Sequence, residues 1–425
     1  MRDIALAILM AIITPLGIFH PWMGTMNWAF VSLFSPHRLA YGFMYSAPVS
    51  MMVGLSTLLG LLFSKDPKRL VMKGALVWMS FFALWMVVTF PFSLDGMSAE
   101  NGAQLDKVMK IMLMNIIAAT VISSRKQIDV LIAVCALSIG FYGVKGGIFT
   151  LMTGGSFRVR GVGGFIAGNN EVGLAFVMVI PLMFYLLTIA TRRWVRWAYM
   201  AAIFLTSLAA IGTQSRGAML AMVGMSAAFI YRSPARAKVA VPFLAAACFI
   251  PFFMPESWWA RMDTISNYEQ DESAMGRLNA WEAAWNIAVH NFFGGGFVLE
   301  TPEIFGRYAP NPFDMHVAHS IYFQVLGQHG FIGLFLFLAL WISVWRTTRW
   351  ISKNSNIAED KMLARMIEVS LIGFAIGGAF LNLAYFDGPY YLMVAMMVLR
   401  YKLMNNLPVS QAAAMPNGLT RQNPR

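Results

Sequence analysis

The chain has 425 residues, of which 58% are hydrophobic and 12% charged, whereas roughly a quarter of the residues of a soluble protein are charged. This composition excludes a conventional water-soluble enzyme. The formal net charge of +12 would suggest a nucleic-acid partner in a soluble protein. Here the charged residues fall between long apolar runs, so their excess indicates membrane topology instead. We therefore predict an all-α, polytopic integral membrane protein.

Apolar runs long enough to cross a membrane follow one another along the chain, and twelve are predicted to be spans. They fall near residues 4–19, 48–63, 75–93, 108–123, 128–152, 170–190, 197–214, 217–231, 238–254, 320–345, 366–386 and 388–402. No signal-peptide cleavage pattern follows the first run, which is therefore predicted to be an uncleaved span. Residues 24–44 are amphiphilic, which favours a re-entrant or interfacial piece. A thirteenth crossing there would reverse the orientation of everything after it.

The distribution of basic residues predicts which face is cytoplasmic. With twelve spans, about two thirds of the 32 Lys and Arg residues fall on one side, in segments such as 65–73, 192–196 and 346–365. The acidic residues show the opposite bias. The positive-inside rule makes the basic side cytoplasmic, so both termini are predicted to lie there.

This topology divides the chain into four parts. They are a first group of transmembrane helices over residues 1–254, a long outer loop over 255–318, C-terminal transmembrane helices over 319–406 and a disordered cytoplasmic tail over 407–425. Within the outer loop, Leu278, Trp281 and Trp285 recur at helical spacing on one face. We expect a small helical subdomain there, lying on the membrane surface.

Basic residues on the outer face need an explanation, because the topology does not favour them there. Arg158 and Arg160 lie in a Gly-rich outer loop over residues 154–171, which ends in Asn169-Asn170 where a helix begins. Asn is a good N-cap, and the free N–H groups at such a helix end favour an anion. The alternative for both arginines is contact with lipid headgroups.

Arg216 lies in the short outer turn 213–217, beside Gln214 and a second predicted helix N-terminus. An arginine fork can bind two phosphate oxygens at once and stays charged at any relevant pH. This position predicts a phosphate-binding residue, against the alternative of an arginine that extends to the lipid headgroups. Lys107 and Lys110, one turn apart at the outer start of a span, present the same two possibilities.

Histidines concentrate near the end of the outer loop, where His316 and His319 precede a span. A neutral imidazole can accept a proton from a hydroxyl as that hydroxyl attacks. The two residues could instead share a metal ion with Asp314, but no third ligand stands at tight spacing, so no metal is predicted. A third possibility is that both simply cap the helix. The acidic run 269–272 is predicted to be a solvated loop.

Four groups of motifs between residues 155 and 335 point to one known family. They are Arg158-x-Arg160-Gly161 followed by Asn169-Asn170; Thr213-x-Ser215-Arg216-Gly217; Gly276-Arg277-Leu278-x-x-Trp281 with Gly294-Gly295-Gly296-Phe297; and His319-Ser320-x-Tyr322 with Leu326, Gly330, Gly333 and Leu334. Together they resemble the O-antigen ligase and polymerase family of bacterial membrane enzymes. Ser320 stands where the family usually has Asn, and Phe292-Phe293 replaces a frequent Pro.

The resemblance looks strongest to the ligase branch, near the exosortase-associated O-glycosylation ligases. It implies a GT-C-like membrane glycosyltransferase of Gram-negative lipopolysaccharide biosynthesis, located in the bacterial inner membrane. Such an enzyme transfers an assembled O-antigen from undecaprenyl diphosphate to a lipid A-core hydroxyl at the periplasmic face. No cofactor, nucleotide or nucleic acid is implied.

The resemblance also implies roles for individual residues. His319 would be the general base in a direct, inverting displacement without a metal, and Arg216 would be catalytic through the diphosphate. Arg158, Arg160 and Lys107 join Arg216 as predicted diphosphate ligands. Acceptor binding or loop closure is predicted for Gln214, Arg277, Trp281, His316 and Tyr322.

Two alternatives remain open at the level of sequence. An O-antigen polymerase or a protein O-oligosaccharyltransferase would share the donor site and differ in the acceptor groove. A lipid-linked glycan flippase would need ionisable residues along a path deep within the spans, where Lys145 and Glu368 are the main candidates. The clustering of the other outer ionisable residues at one face favours an enzyme.

Overall fold

A computed structural model describes residues 1–232, 254–256, 258–259 and 272–406, and its regular elements are all helical. The α-helices are α1 (Arg2–Phe19), α2 (Pro21–Phe34), α3 (Val49–Phe63), α4 (Ala75–Thr89), α5 (Ala99–Val121), α6 (Arg125–Met152), α7 (Asn169–Ile189), α8 (Arg193–Gly212), α9 (Arg216–Arg232), α10 (Glu272–His290), α11 (Pro302–Tyr308), α12 (Ile321–Asn354), α13 (Ala358–Gly378) and α14 (Asp387–Asn406). Short 3-10 turns cover Pro36–Leu39, Phe90–Phe92 and Gly164–Ile166.

Several helices have the length and composition of membrane spans. Within the described ranges, six qualify: Arg2–Phe19, Ala75–Phe92, Arg125–Met152, Asn169–Ile189, Arg193–Gly212 and Ile321–Asn354. This confirms an all-helical, polytopic membrane protein, although it does not establish twelve spans. The predicted span 238–254, except for its last residue, and the predicted tail 407–425 lie outside the described residues.

The first three helices alternate in direction. At the start of α1, the Asp3 carboxylate accepts hydrogen bonds from the backbone N–H groups of Gly42 (2.9 Å) and Met44 (3.1 Å), which precede α3. At the end of α1, His20 Nδ1 lies 3.0 Å from the carboxylate of Asp66, which follows α3. Helices α1 and α3 are therefore parallel, and α2 returns between them as an additional crossing. Residues 21–34 are neither re-entrant nor interfacial.

This crossing separates the two ends of the described chain. Lys402, near the end of α14, donates a hydrogen bond to the Ser123 carbonyl (2.8 Å), and the Arg69 N–H donates to the Thr120 carbonyl (2.8 Å). The last turns of α14 therefore lie at the end of the bundle that holds Asp66 and the basic segment 65–73, opposite Asp3. For the described residues this differs from the predicted arrangement with both termini on one face, because α2 runs back along α1 before that segment.

Helix α14 forms the centre of the bundle. Every side chain from Asp387 to Leu399 is buried, and α14 packs against α5, α6, α12 and α13. A helix that is apolar all round is suited to this central position. The first residue of α14, Asp387, is therefore buried among the surrounding helices.

A charged cluster joins α6, α7 and α13 at the end of the bundle near Ser123. Arg125 Nε donates to Asp360 Oδ1 (2.7 Å), and the same guanidinium contacts Asp129 and the Tyr185 hydroxyl. Asp360 is only 2% exposed, so this contact pairs a buried carboxylate with a cation. A second contact of this kind joins Arg232 of α9 to Glu368 of α13. Glu368 thus pairs with the end of α9.

Replacing Arg125 with methionine is expected to destabilise the protein by about 3 kcal/mol, because it leaves the buried Asp360 carboxylate unpaired. The measurement is thermal unfolding in detergent. Replacing Asp360 with leucine in the same chain is expected to recover most of the loss, because the unpaired charge is removed. Equal unfolding temperatures for the wild type and Arg125→Met would contradict this expectation.

Helix α12 is broken at Gly330, whose backbone has φ 67° and ψ −172°. The N–H groups of Gly295 and Gly296 donate to the carbonyls of Gly327 (2.8 Å) and Gln328 (3.0 Å) just before the break. The N–H groups of this glycine segment therefore supply hydrogen bonds to carbonyls of the interrupted helix. The predicted uninterrupted span over residues 320–345 is thus two helical segments, and the first of them begins next to His319.

Candidate active site

A polar pocket lies where α7, α9 and α10 meet the loop after α13. Its lining residues are Asn170, Ser215, Arg216, Gly217, Ser273, Arg277, Phe380 and Leu381. The fold thus brings together Arg216 and Arg277, two cations that are 61 positions apart along the chain. Sequence reasoning assigned them to different functions, diphosphate binding and acceptor binding. In the structure both arginines line this one polar pocket.

The N-terminus of α9 is part of this pocket. Ser215 caps the helix, since its Oγ accepts a hydrogen bond from the Ala218 N–H (3.2 Å). The first N–H groups of a helix lack intrahelical partners, and the helix dipole favours negative charge at this end. Arg216 is the first residue of α9, so a fixed cation and the helix N-terminus lie together. This combination suits a phosphate group.

The Gly-rich loop is tied to the turn before α9. Arg158 Nε donates to Gln214 Oε1 (3.2 Å), and Gln214 Nε2 donates to the Gly155 carbonyl (3.0 Å). Asn169 Nδ2 donates to the Thr213 carbonyl (3.0 Å). The side chain of Gln214 is thus buried between the turn that carries it and the Gly-rich loop. The N-cap of α7 is Gly168, and Asn169 and Asn170 are its first two helical residues, so neither asparagine is the predicted N-cap.

Three of the four predicted diphosphate ligands, Arg158, Arg160 and Lys107, are not among the residues that line the pocket. Arg158 is exposed and bound to Gln214, and Arg160 is exposed in the same loop. Lys107 Nζ lies 3.7 Å from the ring centroid of Phe165, and the carboxylate of Asp387 contributes to its electrostatic environment. The structure therefore places Lys107 against the Gly-rich loop and the start of α14.

His319 is held in an uncommon backbone conformation directly before α12. Its φ is +43°, in the left-handed region that non-glycine residues rarely adopt. Burial, with smaller contributions from the positive charges of Arg277 and His316, lowers the pKa of His319 from 6.5 to about 4. The imidazole is therefore neutral at physiological pH and can accept a proton. Arg277, whose charge contributes to this shift, also lines the polar pocket.

His316 has a different environment on the same loop. Its Nε2 lies 2.8 Å from Asp314 Oδ1, and half of its side chain is exposed. No group of three or more His, Cys, Asp or Glu side chains in the described ranges is arranged to hold a metal ion. The structure thus pairs His316 with Asp314.

Trp281 and Tyr322 contact the protein rather than an open groove. Trp281 Nε1 donates to the Ala318 carbonyl (2.6 Å), and its ring stacks on Phe323 with centroids 4.9 Å apart. The Tyr322 hydroxyl donates to the Ala375 carbonyl (3.0 Å) and so joins α12 to α13. These contacts stabilise the surroundings of His319.

Sequence reasoning missed several residues of this region. Asn170 was assigned to helix capping, yet it lines the pocket, and Asn279 was given no function although it holds the histidine loop. Phe380 and Leu381 come from the loop after α13, which the motifs do not reach. The available signal for Asn279 was its place between Arg277 and Trp281 in one motif.

Comparison with known families gives a match over the part of the chain that holds most of these residues. Residues 201–338 match the family described as O-Antigen ligase. They therefore make up an O-antigen ligase-like domain. This domain contains Arg216, Arg277, His316 and His319, and it supports the resemblance to the O-antigen ligase and polymerase family. It also supports a membrane enzyme of the glycosyltransferase type.

The remainder of the chain is less informative. Residues 1–191 match a family of unknown function, DUF5935. No curated protein matches this chain. Asn170 belongs to the DUF5935 segment, and Phe380 lies beyond both segments, so residues from outside the O-antigen ligase-like domain complete the pocket.

Proposed function

We propose that the protein is an O-antigen ligase. In this proposal it transfers an assembled glycan from undecaprenyl diphosphate to a hydroxyl of the lipid A-core oligosaccharide. The observation that carries the proposal is the placement of Arg216 and Arg277 in one polar pocket beside the neutral His319. The O-antigen ligase-like domain over residues 201–338 supports the choice of substrate class.

The pocket suits a diphosphate leaving group. As the bond between the anomeric carbon and the diphosphate oxygen breaks, negative charge develops on that oxygen. Two guanidinium groups and a helix N-terminus can stabilise this charge without supplying a proton. We assign Arg216 and Arg277 to the diphosphate. Arg277 is thus proposed to bind the donor rather than the acceptor.

His319 suits the attacking hydroxyl. As the acceptor oxygen forms its bond to the anomeric carbon, His319 takes the hydroxyl proton and later releases it to water. A single displacement of this kind inverts the configuration of the anomeric carbon. Each step balances with the glycan donor and the acceptor alone, so the proposal includes no cofactor.

The position of the pocket supports a periplasmic active site. Helix α7 begins beside the pocket at Asn169 and ends near Tyr185, which contacts Arg125. Arg125 belongs to the end of the bundle that carries Lys402 and the basic segment 65–73. The positive-inside rule makes that end cytoplasmic. For the proposed ligase, the membrane is the inner membrane of a Gram-negative bacterium. The pocket then faces the periplasm, where lipid-linked glycan and lipid A-core meet.

The test is transfer by the purified protein in liposomes, with undecaprenyl diphosphate glycan as donor and lipid A-core as acceptor, with and without chelator. Product in both conditions supports a metal-independent ligase. Product only on a second lipid-linked glycan, or only on a protein, would replace the ligase with a polymerase or a protein O-oligosaccharyltransferase. Glycan lipid that crosses the bilayer without any transfer would overturn the enzyme in favour of a flippase.

The pH dependence of kcat/KM provides a further prediction. His319 is active when neutral, so activity is expected to fall as the pH drops through its lowered pKa of about 4 rather than through 6.5. Replacing Arg277 with glutamine removes a positive neighbour and is expected to move this acidic limb to higher pH. An acidic limb near 6.5 in the wild type, unchanged in Arg277→Gln, would contradict the assignment.

A further inference from the structure

We propose that Asn279 and Trp281 are positioning residues for His319, so that little more than one turn of α10 holds the general base beside the diphosphate pocket. This inference rests on the proposed function for its catalytic meaning. Neither residue lines the pocket that contains Arg216 and Arg277. Their contacts lead instead to the loop that carries the histidines.

Asn279 holds the first part of that loop through its whole carboxamide. Its Nδ2 donates to the carbonyls of Asn311 (2.9 Å) and Asp314 (2.8 Å), and its Oδ1 accepts from the Asn311 N–H (2.8 Å). The side chain is only 8% exposed, so water cannot easily replace these partners. An aspartate can accept the Asn311 N–H but cannot donate to the two carbonyls.

Trp281 holds the second part of the loop, immediately before His319. Its indole N–H binds the Ala318 carbonyl at 2.6 Å, while its ring stacks on Phe323 at an interplanar angle of 5°. On the other side, Ser320 Oγ accepts from the Phe323 N–H (3.5 Å) and caps α12. His319 therefore lies between two fixed neighbours. This explains how its left-handed conformation persists, since such strain requires support from the surrounding structure.

The same part of α10 contacts both the histidine loop and the pocket. A Cβ on Gly276 would overlap the His316 ring, so the loop packs directly against the α10 backbone at this glycine. The next residue, Arg277, faces the arginine pocket. One rigid helical segment thus fixes the separation between the proposed diphosphate site and the proposed base. We expect Arg277 to determine donor binding, and Asn279 and Trp281 to determine the rate of the chemical step.

The first test measures the histidine loop without any assay of transfer. Full-length Trp281→Phe and Asn279→Asp are treated with diethyl pyrocarbonate, and the carbethoxylation of His319 is followed by mass spectrometry. Because Phe keeps the stacking but lacks the N–H, we expect His319 to react several times faster than in the wild type. The matched control is Trp285→Phe on the same helix, where the indole is half exposed and contacts Phe331. We expect no change there.

The second test separates positioning from binding. In Trp281→Phe and Asn279→Asp, kcat is expected to fall by about tenfold or more, since small misplacements of a catalytic group are costly. The Kd for undecaprenyl diphosphate, used alone as the probe, is expected to stay within a factor of two of wild type. Unchanged His319 reactivity with unchanged kcat, or a parallel loss of donor binding, would overturn the proposal.

The two tests also distinguish the failure of this inference from the failure of the proposed function. If the wild type transfers no glycan, the proposed function fails, while the reactivity of His319 still decides whether α10 holds the loop. If the wild type is active and the reactivity does not change, the positioning inference fails alone.

Discussion

Replacing His319 with asparagine is expected to reduce kcat for glycan transfer by about 10²- to 10⁴-fold, the usual contribution of a general base. Asparagine is preferred to alanine because it tolerates the positive φ of +43° at this position, so the loop can keep its backbone conformation. The amide cannot take a proton from the acceptor hydroxyl. Donor binding should change little, because the arginines are intact. The measurement is single-turnover transfer with saturating donor and acceptor.

The matched control for this substitution is His316→Asn on the same loop. His316 is half exposed and pairs with Asp314, and it is not assigned the proton transfer. We expect this variant to retain kcat within about fivefold of wild type, a much smaller effect than loss of the base. A His319→Asn variant that retains most of its activity, or a larger loss in His316→Asn, would move the base to His316.

Replacing Arg216 with alanine is expected to lower kcat by about 10²- to 10³-fold, as when one charge-stabilising donor is removed from an active site. The reason is the loss of the cation that stands at the N-terminus of α9, where leaving-group charge develops. Arg216→Lys is expected to recover only part of the activity, because an ammonium cannot bind two phosphate oxygens in the fork geometry. The measurement is kcat and donor KM for both variants.

Arg160→Ala is the control for the arginine series. Arg160 is exposed in the Gly-rich loop and does not line the pocket, although its sequence context predicted a diphosphate ligand. We expect its removal to raise donor KM by no more than about tenfold, within the range of exposed charge contacts. If Arg160→Ala is as inactive as Arg216→Ala, the diphosphate lies further toward the Gly-rich loop than the pocket indicates.

The sequence was most informative where local patterns and structure coincide. Helical spacing of Leu278, Trp281 and Trp285 predicted a helix in the outer loop, and α10 is found there. The arginine-glycine turn at Arg216 begins a helix as predicted. In both cases the signal is confined to a few neighbouring residues, because helix periodicity and capping act over one or two turns.

Other features depend on contacts between distant segments and were not predicted. Arg216 of α9 and Arg277 of α10 line one pocket, and no spacing along the chain predicts that they meet there. The 14 residues of α2 are shorter than an ordinary span, so hydropathy alone left their crossing undecided. The contacts of Asp3 and His20 decide it, because they join residues about 40 positions apart at opposite ends of the bundle.

The break in α12 has a consequence for hydrogen exchange. Three consecutive glycines usually mark a flexible linker whose amides exchange rapidly with solvent. In this protein the amides of Gly295 and Gly296 are buried and bonded to carbonyls of the interrupted helix. Their deuterium uptake should therefore be as slow as that of the flanking membrane helices. The glycine segment, whose sequence is typical of a flexible linker, is then expected to be among the last parts of the outer region to exchange its amide hydrogens.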